Sequence, residues 1–565
     1  MTTRREVLQL GAFGALGIVG VRGGDDDPSA PTEPLQTTSL LARQNMPVPY
    51  AGVFARPPEL LPYESGFDDG DPARPYERFA LTQKLGQAQL VPGLLTTIAG
   101  FNGIFPGPTI RARQGTRTEV RIRNALPQAG LIHPEAFRTV THLHGAASPP
   151  QYDGYANDFT APGFVKNYLY QNRQVARTLW YHDHNHHVTA QNVYSGLAGL
   201  YPLADQYEQA QLPQGEYDVP LMISDALFKA DGSLGYNDNE HKGFWGDVIL
   251  VNGVPWPTMK VKPRLYRFRV IVASISRSYR PTLSTGEPVY IVGTDAGMVP
   301  VVQTVQSWRH GTAERYEVLI DFRKYRTGQL IELRNLSNKN NDSFANTNKI
   351  MRFEVVADSG PASMNTIPAT LDDGGAPSVG GVPTRGVPTM SLTPAMVKAK
   401  RRLTVERSGG EWTINGVTWV DVEESGFSKL FGNPQPYDIE EWTLINSSGG
   451  WFHPVHIHLV DAKIIGRNTN RGKPFAWENG PKDVVYLGEN ETVTVLMQFD
   501  TGQDAGGRYM IHCHNLPHED HDMMVQFAVG DWRVNDPMTT DPAVWDTTAL
   551  DSFPPAYRPG YPAGT

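Results

Sequence analysis

The only cysteine of the 565-residue chain lies in a short segment that is rich in other soft metal ligands. Cys513 is flanked by His512 and His514, with His518 five residues further along and Met523 ten residues further along. A thiolate, imidazoles and a thioether together are typical of copper sites. If the segment is a β-strand, Cys513 points to one face and both flanking histidines point to the other. The segment therefore predicts two metal centres joined by one strand.

Three other short clusters carry histidines at the i, i+2 spacing, which places both imidazoles on one face of a strand. Together with the cysteine segment they give four pairs: His142/His144, His182/His184, His456/His458 and His512/His514. His453 and His518 remain, and they belong by position with Cys513. A single pair is weak evidence, because surface pairs are common. Zinc is the strongest rival metal, but a zinc site is usually closed by four ligands, so ten clustered histidines and a thiolate favour several copper ions.

The composition is that of a globular, multidomain, all-β chain. Its length suggests three or four hydrophobic cores. The 55 glycines and 45 prolines favour short strands joined by turns. Alternating runs such as 118–123 and 492–499 have the period of half-buried strands. The net charge of -9, without a basic run, gives no indication of nucleic-acid binding.

A weak internal repeat gives the number of domains. Asn-Gly pairs at 102–103, 252–253 and 415–416 each predict a turn leading into strands, and their spacings of 150 and 163 residues fit one β-sandwich each. We therefore predict a first domain at 76–205, a second domain without copper at 206–357, a linker at 358–399 and a third domain at 400–535, between an extended arm at 31–75 and an irregular tail at 536–565.

The N-terminus resembles a twin-arginine export signal, because Arg4 and Arg5 precede a short apolar segment at 7–21. That segment is shorter than the roughly 20 apolar residues of a membrane span, and a buried helix is the alternative. We predict a signal peptide at 1–30, recognition by the twin-arginine export machinery, and a periplasmic, cell-surface or secreted protein without a stable membrane anchor. A single cysteine excludes an internal disulfide framework.

The four clusters, in this order, closely resemble the copper motifs of the multicopper oxidase family, over roughly residues 76–530. The segment at 518–524 is most similar to bacterial spore-coat laccases, bilirubin oxidases and phenoxazinone synthases. The family fold is a Greek-key β-sandwich, the cupredoxin, repeated three times. The resemblance implies four copper ions per chain: one type 1, one type 2 and two type 3.

The resemblance also implies which residue holds which ion. The type 1 copper would be held by His453, Cys513 and His518, with Met523 as a weak axial ligand and the adjacent Met524 in core packing. The type 2 copper would be held by His142 and His456. The type 3 pair would be held by His144, His182, His184, His458, His512 and His514.

Two carboxylates, Asp153 and Glu519, occupy positions where acids of the resembling laccases deliver protons and tune the cluster. Their alternative role is to hydrogen-bond the ligand histidines. With Cys513 and His518, on the electron route, they complete the predicted catalytic set. Trp451 resembles bilirubin oxidases in its position and either lines the substrate approach or packs.

Six histidines stay unassigned in this scheme: His133, His186, His187, His241, His310 and His521. Of these, His186 and His187 follow the second cluster closely, and we expect them at the surface rather than supporting the ligands.

We predict a laccase-like oxidase that takes single electrons from phenols, aminophenols or tetrapyrroles and reduces dioxygen to water. An alternative is a cuprous oxidase in copper tolerance, which is disfavoured because the linker holds only Met364, Met390 and Met396. A non-enzymatic scaffold or a copper store is also disfavoured, because all the expected ligands are present and storage needs no thiolate centre wired to a cluster.

Overall fold

The computed structural model describes residues 41, 43–132, 137–339, 341–358, 366–374, 378–379, 382–383, 386–501, 506–538, 543–544 and 555–558. The predicted signal peptide, His133 and Met364 lie outside these ranges. Within them, none of the helices has the length and apolar character needed to span a bilayer.

The all-β prediction is confirmed, and the first group of strands forms two facing sheets. One sheet contains Glu64–Phe67, Pro75–Val91, Leu94–Phe101, Arg117–Asn124, Phe164–Tyr170 and Ala543–Val544. The other contains Ala112–Arg113, Ala198–Ala204, Arg177–Asp183 and Thr141–His144. The last strand of the first sheet comes from the predicted tail, which therefore adds an edge strand here.

The second group is larger and holds the main apolar cluster of the middle sequence. Its eight-stranded sheet contains Val254–Pro255, Val248–Val251, Asp218–Phe228, Leu234–Gly235, Leu265–Val272, Arg315–Asp321, Val289–Thr294 and Gly297–Val305. Its four-stranded sheet contains Thr258–Val261, Lys349–Val355, Leu330–Asn335 and Pro281–Leu283. A two-stranded ribbon, Ser378–Val379 with Val382–Pro383, follows in the predicted linker.

The third group again pairs two sheets around its own apolar cluster. The first sheet contains Glu411–Ile414, Ala399–Ser408, Ile439–Asn446, Thr492–Gln498 and Ala462–Arg467. The second contains Val484–Leu487, His453–Ile457, Gly506–Cys513 and Met524–Gly530. The described helices are all short: Pro150–Asp153, Thr189–Ser195, Gln206–Gln211, Trp419–Glu424 and Leu516–Asp520.

The three Asn-Gly pairs form the same turn in each group. Asn102, Asn252 and Asn415 all have positive φ, between 50° and 57°, and the glycines that follow them have φ between 70° and 79°. Asparagine and glycine tolerate this conformation at low cost, which is why they suit such turns. Each asparagine Oδ1 also accepts a backbone N–H of a neighbouring strand, at 2.9, 2.8 and 2.7 Å. The repeat seen in the sequence is therefore a repeated structural device.

Strand register brings the histidine clusters together. In the first sandwich His142 lies opposite His182 across an antiparallel pair. In the third, His456 lies opposite His512 in the same manner. Two sheets thus carry all four clusters.

Candidate metal centre

A buried thiolate site, consisting of Cys513, His453 and His518, lies in the third sandwich. The Cys513 Sγ atom is 3.4 Å from His453 Nδ1 and 3.7 Å from His518 Nδ1, and the two nitrogens are 3.2 Å apart. The far nitrogens also have partners: Ser448 Oγ lies 2.8 Å from His453 Nε2, and the Lys242 carbonyl oxygen lies 3.1 Å from His518 Nε2. If each Nε2 carries the proton, both Nδ1 atoms keep their lone pairs on the side of the Cys513 sulfur. The two Nδ1 atoms and the sulfur are then available together as metal ligands.

Burial decides the protonation states at the thiolate site. All three side chains are fully buried. Burial lowers the pKa of His453 to about 3, so this imidazole is neutral and able to ligate. Burial also raises the pKa of the Cys513 thiol, so the thiolate forms when a cation replaces its proton. The donor set fits a soft, trigonal copper ion.

The two methionines of the segment point to different apolar clusters. Met523 shares its cluster with Cys513, whereas Met524 packs with Tyr155 and Trp419. The backbone N–H of Cys513 donates to the Met523 carbonyl oxygen, at 3.2 Å, which ties the two residues together. Axial ligation by Met523 stays a prediction, and Met524 lies in core packing as expected.

The eight paired histidines form one buried chamber between the first and third sandwiches. The predicted ligand sets define two triads and a pair among them, although the two shortest ring-centroid distances, 3.7 Å between His144 and His456 and 4.1 Å between His142 and His458, join rings of different sets. In the first triad, His144, His182 and His514, the ring centroids are 5.1, 5.2 and 5.7 Å apart. In the second triad, His184, His458 and His512, they are 4.6, 5.2 and 5.3 Å apart. The remaining pair, His142 and His456, has centroids 5.6 Å apart.

Backbone carbonyls orient several of these rings. The Nδ1 of His182 donates to the Asp183 carbonyl oxygen at 2.7 Å, and the Nδ1 of His456 donates to that of Asp483 at 2.9 Å. His142 Nδ1 bonds to the Asp153 carbonyl oxygen in the same way. Among the described residues, the Nε2 atoms of these three rings have no hydrogen-bond partner although they are buried. Unpartnered buried acceptors are costly, and metal ions would satisfy them.

The two predicted carboxylates contact the second triad. Asp153 Oδ2 lies 2.7 Å from His458 Nδ1, and Glu519 Oε2 lies 2.7 Å from His512 Nδ1. The other oxygen of Glu519 lies 3.7 Å from His184 Nδ1. All three outer nitrogens therefore face a carboxylate, and the inner Nε2 atoms converge, with His512 Nε2 at 3.1 and 3.2 Å from the other two.

Electrostatics distinguish these two acids. Burial raises the pKa of Asp153 well above its usual range. Burial also raises the pKa of Glu519, but the nearby His512 and His184 outweigh it and lower that pKa overall. Both acids contact ligand candidates, and proton delivery stays a prediction for each.

A third carboxylate, Asp483, was not among the predicted site residues. Its Oδ1 lies 3.2 Å from His144 Nε2, and it forms a fully buried ion pair with Arg315 of the middle sandwich, Nη1 to Oδ1 at 2.6 Å. His144 thus differs from His142, His182 and His456, because its Nδ1, and not its Nε2, is the nitrogen without a hydrogen-bond partner among the described residues. No motif marks Asp483 in the sequence, because its partners lie 168 and 339 residues away.

Gly145, which follows the first histidine pair, makes room for this ion pair. Its φ is +86°, and an added Cβ would lie 2.5 Å from Asp483 Oδ2 and 2.6 Å from Arg315 Nη2. Only glycine combines that backbone conformation with so close an approach.

The other described histidines lie outside the chamber and the thiolate site. His186 is only 6% exposed and lies between Glu423, at 3.3 Å, and Asp522, at 3.2 Å, so the expectation of a surface position is wrong for it. Those two acids bind the ring tightly, which the sequence spacing could not show. His187 is exposed, as expected. In the middle sandwich, burial lowers the pKa of His310 to about 3, and His241 stacks on His521 with ring centroids 4.2 Å apart.

Comparisons with known proteins agree with this donor set. Two regions, 84–207 and 396–532, match family models described as multicopper oxidase. The chain is 41% identical to a bilirubin oxidase of Albifimbria verrucaria over 81% of this chain and 76% of that protein. It is 33% identical to a laccase of Bacillus subtilis over 77% and 91% of the two chains. The solved structure of the McoA multicopper oxidase from Aquifex aeolicus is similar with a TM-score of 0.72 and 26% identity, covering 86% of this chain and all of that one.

Proposed function

This chain belongs to the multicopper oxidase family, and from that premise we propose that it holds four copper ions and oxidises aromatic donors one electron at a time. Copper-dependent oxidation with dioxygen as acceptor is the activity of the family. The number of ions, their ligands and the donor are the proposal. The observation that carries it is the pair of buried donor clusters, one formed by Cys513, His453 and His518 and the other by eight histidines of the first and third sandwiches.

The residues assigned to each ion follow from the resemblance to the family. The thiolate site, together with Met523, would hold the type 1 copper. The two triads would hold the type 3 pair, and His142 with His456 would hold the type 2 copper. When bound, these ions supply one-electron redox chemistry and a place where dioxygen can take up four electrons.

The backbone itself links the two centres. Cys513 faces the thiolate site, while its neighbours His512 and His514 each belong to a different triad. A single residue step along the strand therefore joins the two centres, and this backbone link would carry electrons between ions held there.

Dioxygen needs four protons and four electrons to form two waters, and the two carboxylates would relay these protons from solvent one at a time. Asp153 and Glu519 each contact a ring nitrogen of the second triad, so each lies within one hydrogen bond of the chamber. Their burial excludes bulk water, so a proton held on either is delivered locally.

We assign phenols, aminophenols or tetrapyrroles as donors, because the similar proteins named above are a laccase and a bilirubin oxidase. The test is oxygen uptake by the copper-loaded protein with a phenol, bilirubin and Cu(I) in parallel. A blue protein that oxidises the organic donors supports the assignment. If the protein consumes oxygen only with Cu(I), the assignment of organic donors is wrong and the protein is a cuprous oxidase.

Export through the twin-arginine machinery is a separate proposal, supported by Arg4 and Arg5 ahead of the apolar segment. Replacing both arginines with lysine keeps the charge but removes the paired arginines. We expect the wild type to be exported and this variant to accumulate inside the cell, as measured by fractionation. Equal export of both would refute the assignment.

A further inference from the structure

Two adjacent histidines outside the chamber, His186 and His187, lie in the turn between the second histidine cluster and the helix Thr189–Ser195. Their rings are in contact, with centroids 3.5 Å apart and planes inclined by 31°. His187 has a φ of +69°, a backbone conformation that is uncommon for residues other than glycine. This turn of the first sandwich therefore holds two imidazoles beside each other.

Each of the two rings uses one nitrogen to contact the third sandwich. His186 Nε2 lies 3.2 Å from Asp522 Oδ1, and His187 Nδ1 lies 3.1 Å from the Asp520 carbonyl oxygen. A carbonyl oxygen can only accept, so His187 Nδ1 carries the proton and Nε2 keeps its lone pair. Among the described residues, that Nε2 atom has no hydrogen-bond partner. Histidines that bind metals are usually fixed in this way, through the nitrogen that faces away from the ion.

The other nitrogen of His186 faces a carboxylate. Glu423, in the helix Trp419–Glu424 of the third sandwich, places its Oε1 atom 3.3 Å from His186 Nδ1. This distance is slightly longer than a normal hydrogen bond, which spans about 2.7–3.2 Å. Two ligands that share one tetrahedral ion, with bonds of about 2.0–2.2 Å, lie about 3.3–3.5 Å apart. The His186 and Glu423 atoms are therefore spaced as two ligands of one metal ion would be.

His186, His187 and Glu423 line one cavity of about 180 Å³. Asn157 lines it too: its Nδ2 atom donates to Glu423 Oε1, and its Oδ1 atom accepts from the Trp419 indole at 2.8 Å. These two bonds hold the carboxylate in position. The His186 side chain is only 6% exposed, whereas that of Glu423 is 31% exposed and His187 is exposed. The cavity is therefore open to solvent on the His187 side.

One cation borders the same cavity. Arg138 and Phe159 both line it, and the Arg138 guanidinium lies 4.7 Å from the centre of the Phe159 ring. Its positive charge opposes the binding of a second cation. The carboxylates of Glu423 and Asp522, on either side of His186, supply two negative charges that favour it.

We propose that His186, His187 and Glu423 form a further metal site, which binds one exchangeable Zn²⁺ or Cu²⁺ ion between the first and third sandwiches. Two imidazoles and a carboxylate suit these ions, whereas Mg²⁺ and Ca²⁺ prefer oxygen ligands alone. The ion displaces any proton from His186 Nδ1 and keeps a fourth position for water. Because its ligands come from two domains, the ion also stabilises their contact. This inference goes beyond the proposed function and does not depend on it.

The test titrates Zn²⁺ into the untagged, copper-loaded protein, desalted beforehand, by isothermal calorimetry and elemental analysis. Zinc is the probe because it is counted separately from copper, whose content should stay unchanged. We expect one Zn²⁺ per chain in the wild type, none bound when Mg²⁺ replaces it as the titrant, and an affinity at least about tenfold lower in His187→Gln and in Glu423→Gln. Zinc should also raise the melting temperature of the wild type but not that of His187→Gln.

Two further variants test the position and the charge of the site. His241→Gln is the matched control, because the His241 side chain is 46% exposed and also pairs with a carboxylate, that of Asp238, at 2.9 Å. It should bind zinc like the wild type. Arg138→Gln should bind zinc more tightly, because it removes the positive charge at the cavity; weaker binding would contradict a cation in that cavity.

Three outcomes would overturn the inference. A wild type that binds no zinc, or a His187→Gln variant that binds it unchanged, would leave His186 as an imidazolium held between two carboxylates. Loss of binding in His241→Gln alone would instead place the ion at the stacked His241 and His521 rings. A colourless wild type would refute the proposed function, whereas the zinc stoichiometry is measured independently of the blue band.

Discussion

Replacing Arg315 with methionine tests whether the middle sandwich supports the histidine chamber. The guanidinium of Arg315 is fully buried and paired with the Asp483 carboxylate, which contacts His144 and bonds to His456 through its carbonyl. Removing one member of a buried ion pair leaves an uncompensated charge, at a cost of about 3–5 kcal/mol. The replacement also leaves unmatched the carbonyl oxygen of Thr178, which accepts from Nε at 2.9 Å.

The expected loss is large enough to measure by thermal unfolding of the copper-free protein. At the usual conversion for a domain of this size, it lowers the midpoint by roughly 6–20 °C. Arg323→Met is the matched control, because Arg323 lies just beyond the same strand and its side chain is 38% exposed in its pair with Asp321. A surface pair of this kind contributes about 0–1 kcal/mol.

The double variant Arg315→Met/Asp483→Asn decides the cause. If the unpaired charge dominates, neutralising it restores part of the lost stability, so the double variant unfolds at a higher temperature than Arg315→Met. The reasoning is refuted if the stability losses of the two single variants simply add in the double variant. It is also refuted if the control Arg323→Met is as unstable as Arg315→Met. Copper loading should also be lower in Arg315→Met than in the control.

Three further predictions concern single side chains. Glu519→Gln should retain full copper content but reduce dioxygen more slowly, by roughly 100-fold if it is a proton donor; unchanged turnover in a fully loaded variant would refute that role. Gly145→Ala should lower the free energy of unfolding by about 1–2 kcal/mol through its left-handed backbone alone. The added methyl group also collides with the Asp483–Arg315 pair, so the melting temperature and the copper content should both fall. Wild-type values for both would contradict the packing argument. Burial raises the pKa of Glu491, but two guanidinium groups outweigh it and lower the pKa to about 2. Because that pKa is depressed, the stabilisation is present above the ordinary glutamate range and is lost as pH falls towards 2, so the melting-temperature difference between the wild type and Glu491→Gln should shrink between about pH 4.5 and 2; a constant difference would refute it.

Local spacing was sufficient to predict the ligand candidates. The i, i+2 histidine pairs depend only on strand alternation, so their grouping on common faces follows from the sequence. For the same reason, the sequence predicts that the Cys513 side chain lies on the face of the strand opposite to that of His512 and His514. The Asn-Gly turns were predictable because their backbone conformation restricts the residues that can adopt it.

Contacts between distant parts of the chain could not be predicted in this way. The Arg315–Asp483 pair joins residues 168 positions apart, and the carbonyl that covers His518 comes from a residue 276 positions earlier. Arg315, Asp483 and the covering residue Lys242 do not belong to any spaced motif. The burial of His186 likewise depends on acids contributed by the third sandwich, so its sequence neighbours gave no sign of it.

If one strand separates two copper centres, losing the Cys513 thiolate should remove one of them and leave the other. Copper content, measured beside the optical and paramagnetic spectra of the wild type and Cys513→Ser, distinguishes the two centres. We expect four coppers, a blue band and both type 1 and type 2 signals in the wild type. In the variant we expect three coppers, no blue band and a retained type 2 signal, since the histidine chamber lies on the opposite face. A colourless wild type, or a variant that loses all its copper, would show that the strand does not separate two copper centres.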